Sequence, residues 1–565
     1  MIAHVIPLTR LPARFSFFDY LIPEGLEVAV GDLVLIPFRG FTLQGIVCDL
    51  VNESAQKKLA ALKAVIRKNV LSQKDIERFF RISHAIAQSP STLMYATLPK
   101  HIGKARAYKT PPSPAKKSPS ISSDELPALQ ELVAFIKTHP HAALQGDFET
   151  GIALAHILSS HLALSAQLLI LVPRDRDADM LRTALKHSSL AVVTGTTSEA
   201  DRAAIFCAWQ EGKVHILLGT KQVALWSASH LAHVLVLHAG NDEYANHRRN
   251  PKFDPREAAR LLAEQHGAHY VSVDTLPRIE DCKHECWSVP FFIPDPQELH
   301  PFARFIPLAA RTEKTAYPLL TLSLEEAIKM ASQSQKRVLL FLNRKGAAKR
   351  LQCALCDYVP LCGTCGNIPT VRATEDLLCD RCQSEMWIPE VCPMCQKARL
   401  KFVGVGGEKV VVDLKKLFPH LSIGFVEKGS DVAWKTADIV VATEHVFANL
   451  LIPFTRYNFG LVADLMADLP VGGVDFRATE HTSRQLLRLL FLAKREKAEC
   501  LIQTWIPARL PDLIAPTFVI TEELRVRQEY KLPPFGNIFV TKTGTIRNPV
   551  NTPDEPFVYD GRYVE

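Results

Sequence analysis

The chain has 565 residues, 47% of them hydrophobic, with 66 Lys+Arg against 59 Asp+Glu, a formal net charge of +7, and 13 cysteines. That length and apolar share supply buried cores for about three to five domains, so the class is multidomain globular. A surplus of seven cations over such a length is only a weak pull toward anionic partners. The start, Met1-Ile2-Ala3-His4-Val5-Ile6-Pro7, has no basic region followed by an apolar run. The one uncharged stretch of membrane length, Gly151 to Pro173, carries His156, Ser159, Ser160, His161, Ser165 and Gln167, and reads as a helix and a buried strand. A cytoplasmic protein with no membrane partner is expected.

From Met1 to about residue 50, short apolar runs (Leu33 to Phe38, Gly45 to Leu50) are punctuated by Pro23, Gly25, Gly31, Gly40 and Gly45, the pattern of a small β-barrel or sandwich. Residues 55 to 100 read as helices carrying Lys57, Lys58, Lys63, Arg67 and Lys68. Lys104 to Glu125, rich in Pro and Ser with Lys104, Arg106, Lys109, Lys116 and Lys117, reads as a disordered basic linker and a domain boundary.

Beyond the linker, buried strands alternate with amphipathic helices: Leu168 to Val172, Ala191 to Val193, His215 to Leu218, Val234 to Leu237 and Tyr270 to Val273. A second set follows at Val338 to Leu342, Ser422 to Phe425, Ile439 to Val441, Gly460 to Ala463 and Cys500 to Thr504. Each set implies a parallel sheet with helical crossovers, so the fold class is multidomain α/β with two lobes in tandem.

Between the first two strands of the second set lie four C-x-x-C pairs: Cys353/Cys356, Cys362/Cys365, Cys379/Cys382 and Cys392/Cys395. One such turn brings two thiolates to one ion and two complete a tetrahedral shell, so four predict two closed structural zinc sites, with iron the alternative metal. Spacing does not choose among neighbouring, interleaved and nested pairings. Cys282 and Cys286 near His284 lack a full shell and read as incidental, and Cys48, Cys207 and Cys500 read as small core residues.

Several stretches together resemble the PriA family of replication-restart DNA helicases (primosomal protein N′). They are Phe341-Leu342-Asn343-Arg344-Lys345-Gly346 through the cysteine block to Lys401-Phe402-Val403-Gly404, Phe18-Asp19-Tyr20-Leu21-Ile22-Pro23-Glu24-Gly25, Gly219-Thr220-Lys221, Asp475-Phe476-Arg477-Ala478 and Leu532-Pro533-Pro534-Phe535-Gly536. The resemblance covers nearly the whole chain. It implies a 3′ DNA-binding domain plus a winged-helix-like helical segment over 1–100, the basic linker over 101–125, and a RecA-like helicase lobe over 126–300. A second RecA-like lobe over 301–350 and 401–540 would carry a two-zinc insertion at 351–400, with a shortened C-terminal remnant at 541–565.

The resemblance also implies nested zinc pairing, with Cys353, Cys356, Cys392 and Cys395 on one ion and Cys362, Cys365, Cys379 and Cys382 on the other. Phe18, Asp19, Tyr20 and Gly45 fall on the family's pocket for a DNA 3′ end, where an aromatic platform would stack the base and a carboxylate would accept the 3′-hydroxyl. Arg248, Arg249 and Lys252 would supply phosphate contacts, and Phe253 a stacking surface. The partners implied are forked and single-stranded DNA and replication-restart proteins.

The motor positions depart from the family. A P-loop needs glycines that free backbone N–H groups for phosphate, a Lys, and a hydroxyl for magnesium. Here Gly146-Asp147-Phe148-Glu149-Thr150-Gly151-Ile152-Ala153 puts Ile152 at the Lys and Ala153 at the hydroxyl, with two carboxylates in the loop. The acidic box falls on His238-Ala239-Gly240-Asn241 with no carboxylate, the first arginine finger is Leu492 with only Arg495 retained, and Phe447-Ala448-Asn449 replaces the expected Lys-Gly. The expectation is a fork-binding protein of primosome assembly with two zinc ions, no catalytic residues, and no functional ATP–magnesium site. The alternatives are an active 3′-to-5′ ATP-dependent helicase with a divergent site, and a zinc-dependent protein-interaction scaffold.

Overall fold

The computed structural model describes the chain except residues 57, 109–125, 164, 186–188, 245–250, 285–286, 289–302, 309–312, 314, 316, 318, 343–349, 354, 357, 365–368, 372–375, 380–383, 404–406, 427–431, 450–454, 468–475, 506, 537–538, 541–545 and 548–565. Two compact units emerge, one made of Met1–Leu144, Phe148–Ser288 and Lys531–Glu565, the other of Gln145–Asp147 and Val289–Tyr530.

The first unit begins with β1 (Ile2–Pro7), β2 (Phe18–Leu21), β3 (Leu33–Phe38), β4 (Phe41–Val51), β5 (Ala60–Ala61) and β6 (Ala64–Arg67), in the order β5-β2-β1-β4-β3-β6. The two outer strands are consecutive in the chain with only Leu62 and Lys63 between them, and Lys63 N–H bonds Leu35 O at 2.9 Å, so the sheet curls into the small barrel that the turn residues predict. Its interior holds Val5, Tyr20, Val34, Ile36, Val47 and Leu62. Gly31 is the one residue type that fits its corner, with φ +91° and a site where a Cβ would lie 1.8 Å from Leu71 O.

Among the described residues of 55–100, helices occupy Gln73–Ala85 and Pro90–Thr97, so the expectation of helix from residue 55 is corrected. Ala64-Val65-Ile66-Arg67 is a barrel strand because its β-branched pair suits a sheet, and Ser72 caps the first helix through a reciprocal bond with Asp75. Neither helix carries a wing strand among the described residues. Ile76, Phe79 and Ile82 instead join Phe206, Trp209, Leu225 and Trp226 in one continuous core.

That seam is also polar at one point. Asp75 Oδ1 accepts from Ser227 Oγ, from Gln265 Nε2 at 2.8 Å and from Arg78 Nη2 at 3.3 Å, and Arg78 Nη2 also donates to Leu225 O at 3.1 Å. Burial alone would raise the Asp75 carboxyl, but Arg78 and the hydrogen bonds from Ser227, Ser72 and Gln265 outweigh it and hold the pKa below the usual value.

The rest of this unit is the first α/β lobe. Its strands are β7 (His141–Gln145), β8 (Gln167–Leu171), β9 (Leu190–Val193), β10 (Ile216–Gly219), β11 (Leu231–Leu237), β12 (His269–Asp274) and β13 (Trp287–Ser288), ordered β13-β7-β12-β11-β8-β10-β9. β10 runs parallel to β8 and β9, β11 to β8 and β12, and β13 to β7, and the five strands read from sequence sit within a few residues of their expected bounds. Parallel strands covered on both faces must be apolar throughout, which is why they were legible. β7 and β13 were not predicted as strands.

In the second unit, β14 (Ala303–Pro307), β15 (Arg337–Phe341), β21 (Ile423–Val426), β22 (Ile439–Ala442), β23 (Phe459–Asp464) and β24 (Glu499–Thr504) form a second parallel sheet, ordered β14-β24-β23-β15-β22-β21. The cysteine region is inserted between β15 and β21. It is bracketed by the antiparallel pair β16 (Arg350–Cys353) and β20 (Leu400–Val403), and contains the small sheet β17 (Thr370–Val371), β18 (Asp376–Leu378) and β19 (Glu385–Trp387). No helix among the described residues is long and apolar enough to cross a membrane.

Arg78→Ala would leave Asp75 charged and underpaired inside the seam, and is expected to lower unfolding free energy by about 3–5 kcal/mol in urea titrations. His233 gives a pH signature. Burial first, then His269 with its ring stacked at 5.4 Å, then Lys137, push its pKa down to about 4. The unfolded chain therefore binds the extra proton between an ordinary histidine value and about 4, and stability should fall as pH drops through that window. His233→Gln should flatten the fall in thermal unfolding scans.

Candidate metal centre and nucleic-acid interface

Four thiols converge in the second unit. Cys353, Cys356, Cys392 and Cys395 lie with their sulfurs all within 4.8 Å of one another, with Cys353–Cys395 at 3.6 Å and Cys356–Cys392 at 3.4 Å. A tetrahedral zinc with Zn–S bonds of about 2.3 Å places its sulfurs roughly 3.8 Å apart, so this donor set fits the ion. The antiparallel β16–β20 ladder does the positioning, since Cys353 pairs with Leu400 and carries the first turn to the last. Leu355 N–H points at the Cys353 sulfur at 3.4 Å, the backbone bond that a thiolate turn uses. Of the other four, Cys362 and Cys379 are buried, while Cys365 and Cys382 fall outside the described residues.

The positions read from the sequence as a nucleotide loop are occupied by packing. A helix spans Phe148–Ser160, so only Gly146 and Asp147 separate it from β7, and the chain from Phe148 on is helical where a P-loop would wrap phosphate. Gly151 lies inside that helix, where an added Cβ would meet Leu237 Cδ2 at 2.7 Å: its small size serves helix-to-strand contact. Ile152 and Ala153 are turned into the core at 2% and 8% exposure.

At the end of β11, His238 has φ +52° and stacks on Phe148 at 4.5 Å, while Ala239 is fully buried. Gly240 N–H donates to Asp274 at 2.9 Å, and the buried Tyr244 hydroxyl donates between the carbonyls of Leu171 (2.9 Å) and Leu237 (2.7 Å). Asn241 caps its own turn through Glu243 N–H at 2.9 Å. Arg256 donates to Ala239 O, with its guanidinium 5.4 Å over the Tyr244 ring. In the second unit, Arg495 lies 3.9 Å from Glu496 with its side chain 14% exposed, and Leu492 is buried.

The end-binding residues divide by strand parity. Phe18 and Tyr20 point into the barrel, and Tyr20 is 4% exposed with its hydroxyl donating to Pro37 O at 3.1 Å; burial pushes that hydroxyl up to about 12. Tyr20 as a base platform is therefore corrected to a core residue. Phe18, partly buried, stacks on Phe15 at 5.7 Å and meets Phe38 edge-on at 5.2 Å. Gly45 is buried where a Cβ would lie 2.5 Å from Val5 Cγ1, which accounts for it by strand packing.

Asp19 points the other way. It accepts from Ser54 Oγ and lies 3.6 Å from His4 Nε2, while His4 Nδ1 lies 3.7 Å from Asp49 and its ring stacks at 4.3 Å on Phe17, which is 41% exposed. The aromatic that shares a face with Asp19 is Phe17, one residue before the quoted motif. Alternation of side chains along a strand was the signal that could have found it.

Of the basic candidates, Lys252 is half-buried, and Arg248 and Arg249 lie outside the described residues. Phe253 as a stacking surface is corrected: it is 1% exposed and covered by Lys221, whose Nζ sits 4.5 Å from the ring centroid and donates to Pro251 O at 3.0 Å. In the linker, Arg106 pairs with Asp201 at 2.8 Å, Lys104 is exposed, and Lys109, Lys116 and Lys117 lie outside the described residues.

Residues 6–99 match the 3′DNA-binding domain (3′BD) family of PriA. Along the whole chain, the replication restart protein PriA of Rickettsia conorii is 25% identical over 556 residues, covering 93% of this chain and 84% of that protein. PriA of Haemophilus influenzae is 24% identical over 418 residues, covering 69% and 56%. A structure of RecG bound to a three-way DNA junction aligns at TM-score 0.37 and 11% identity, covering 72% of this chain and 47% of RecG.

Cys353→Ser and Cys392→Ser are each expected to release the same single equivalent of metal, and the double variant no second one, as read by metal content after gel filtration. Loss of two separate equivalents would place the two cysteines on different ions.

Proposed function

We propose that this PriA-family protein binds forked DNA and 3′ ends in replication restart and does not unwind DNA with ATP. DNA binding and replication restart are what membership of the family implies. The loss of the motor is supported above all by the helix that begins at Phe148, with Ile152 and Ala153 in the core and Gly151 packed on Leu237. Phosphoryl transfer is catalysed almost entirely by positioned cations and free backbone N–H groups aimed at the γ-phosphate. This segment directs apolar side chains inward at the positions where a motor presents those groups.

For DNA, the reading rests on the exposed Phe17 and Asp49 with the half-buried His4 and Asp19 between them, beside the end-binding stretch. Phe17 offers stacking area, and the Asp19 carboxylate, held by Ser54 and His4, can accept a hydrogen bond from a hydroxyl. The insertion would hold zinc on Cys353, Cys356, Cys392 and Cys395, where it acts as a structural cross-link; the second site on Cys362, Cys365, Cys379 and Cys382 is part of the same proposal. Replication-restart proteins are the protein partners proposed.

The test is phosphate release in the presence of a fork with a free 3′ end, together with anisotropy on the same DNA. The expected result is fork binding that weakens with salt and no DNA-stimulated hydrolysis. Hydrolysis would establish an active helicase instead, and no preference for the fork over plain duplex would remove the end-binding reading. Ile152→Lys is expected to destabilise the protein by a few kcal/mol in denaturant titrations, without gain of hydrolysis, since it buries an unpaired ammonium.

A further inference from the structure

The most exposed large apolar side chain among the described residues, Trp387 at 87%, belongs neither to the end-binding face nor to the nucleotide region. It closes β19, the outer strand of the sheet β17-β18-β19, whose far edge pairs with no strand among the described residues. The register settles its surroundings. Met386 stands opposite Leu377, which is 1% exposed, so these two face the interior and Glu385 and Trp387 share the solvent face. Directly across from Trp387 is Asp376, and across from Glu385 is Leu378.

The result is an indole across from the Asp376 carboxylate, on a strand whose far edge pairs with no strand among the described residues. An exposed indole face attracts a cation, above all a guanidinium. A carboxylate at the cross-strand position pairs with the same group. An open strand edge accepts an extended segment as one more strand, whose alternate side chains then fall on one face. Phosphate is disfavoured beside Asp376, so the charge across from Trp387 selects against nucleic acid at this edge.

We propose that β19 is the docking edge for an extended arginine- or lysine-bearing segment of a partner protein, added as a fourth strand with one cationic side chain over Trp387 beside Asp376. This surface is separate from the DNA-binding reading and does not depend on it. It assigns the cysteine-rich insertion a recognition chemistry in addition to its metal.

The test uses the full-length, metal-loaded protein and a fluorescein-labelled octapeptide alternating arginine and valine, read by anisotropy. Trp387→Ala, with unchanged metal content as the folding check, should weaken binding about tenfold, and Asp376→Asn several-fold. Trp387→Phe should fall between, a glutamate-for-arginine peptide should not bind, and N-methylation of the valine amides should abolish binding. Fork DNA affinity should be the same in every variant. Binding of the arginine peptide that is absent, or unchanged by Trp387→Ala and Asp376→Asn, would overturn the proposal. So would a loss of oligo-dT affinity in Trp387→Ala, which would make this a nucleic-acid surface.

Discussion

Asp75 is the carboxylate that joins the barrel's helices to the first α/β lobe. A charge that deep is tolerated only because Arg78, Ser72, Ser227 and Gln265 all meet it, and those partners come from the helix itself, from the turn after β10 and from the helix before β12. Around this polar point the apolar seam is continuous, from Ile6 and Leu33 in the barrel to Trp209 and Trp226 in the lobe. A barrel joined in this way is held on the lobe by packing.

The segment read as a nucleotide loop shows how apolar packing can fill such positions within an intact parallel sheet. Its ingredients in a working motor are open backbone, a cation and a carboxylate, none of which a core needs. Here their positions carry Gly151 against Leu237, Ile152 and Ala153 in the interior, Ala239 buried, and Tyr244 bonded to the strand ends. These contacts accompany an intact parallel sheet.

The cysteine-rich insertion follows another logic. Its strands are two to four residues long, and beside β16 and β20 four thiols come together. Such a module can leave apolar side chains in solvent that a conventional domain would bury, and Leu355, Trp387 and Met394 are all exposed there.

How much of this was legible in advance depends on the kind of constraint. The parallel strands were, because burial on both faces demands unbroken apolar runs such as Leu168-Leu169-Ile170-Leu171, and that demand is written locally. So were the four C-x-x-C turns and the absence of a Lys at Ile152, because thiolate and phosphate chemistry require particular residue types at particular positions. The sequence alone left open which turns share an ion, and it assigned Tyr20, Gly45 and Phe253 to a DNA surface that the fold fills with core. Those outcomes turn on strand parity, ladder register and contacts between residues such as Cys353 and Cys395, 42 apart in the chain. Only the tertiary structure decides them, since a side chain's face and neighbours are properties of the packed elements and are not carried by its own position in the sequence.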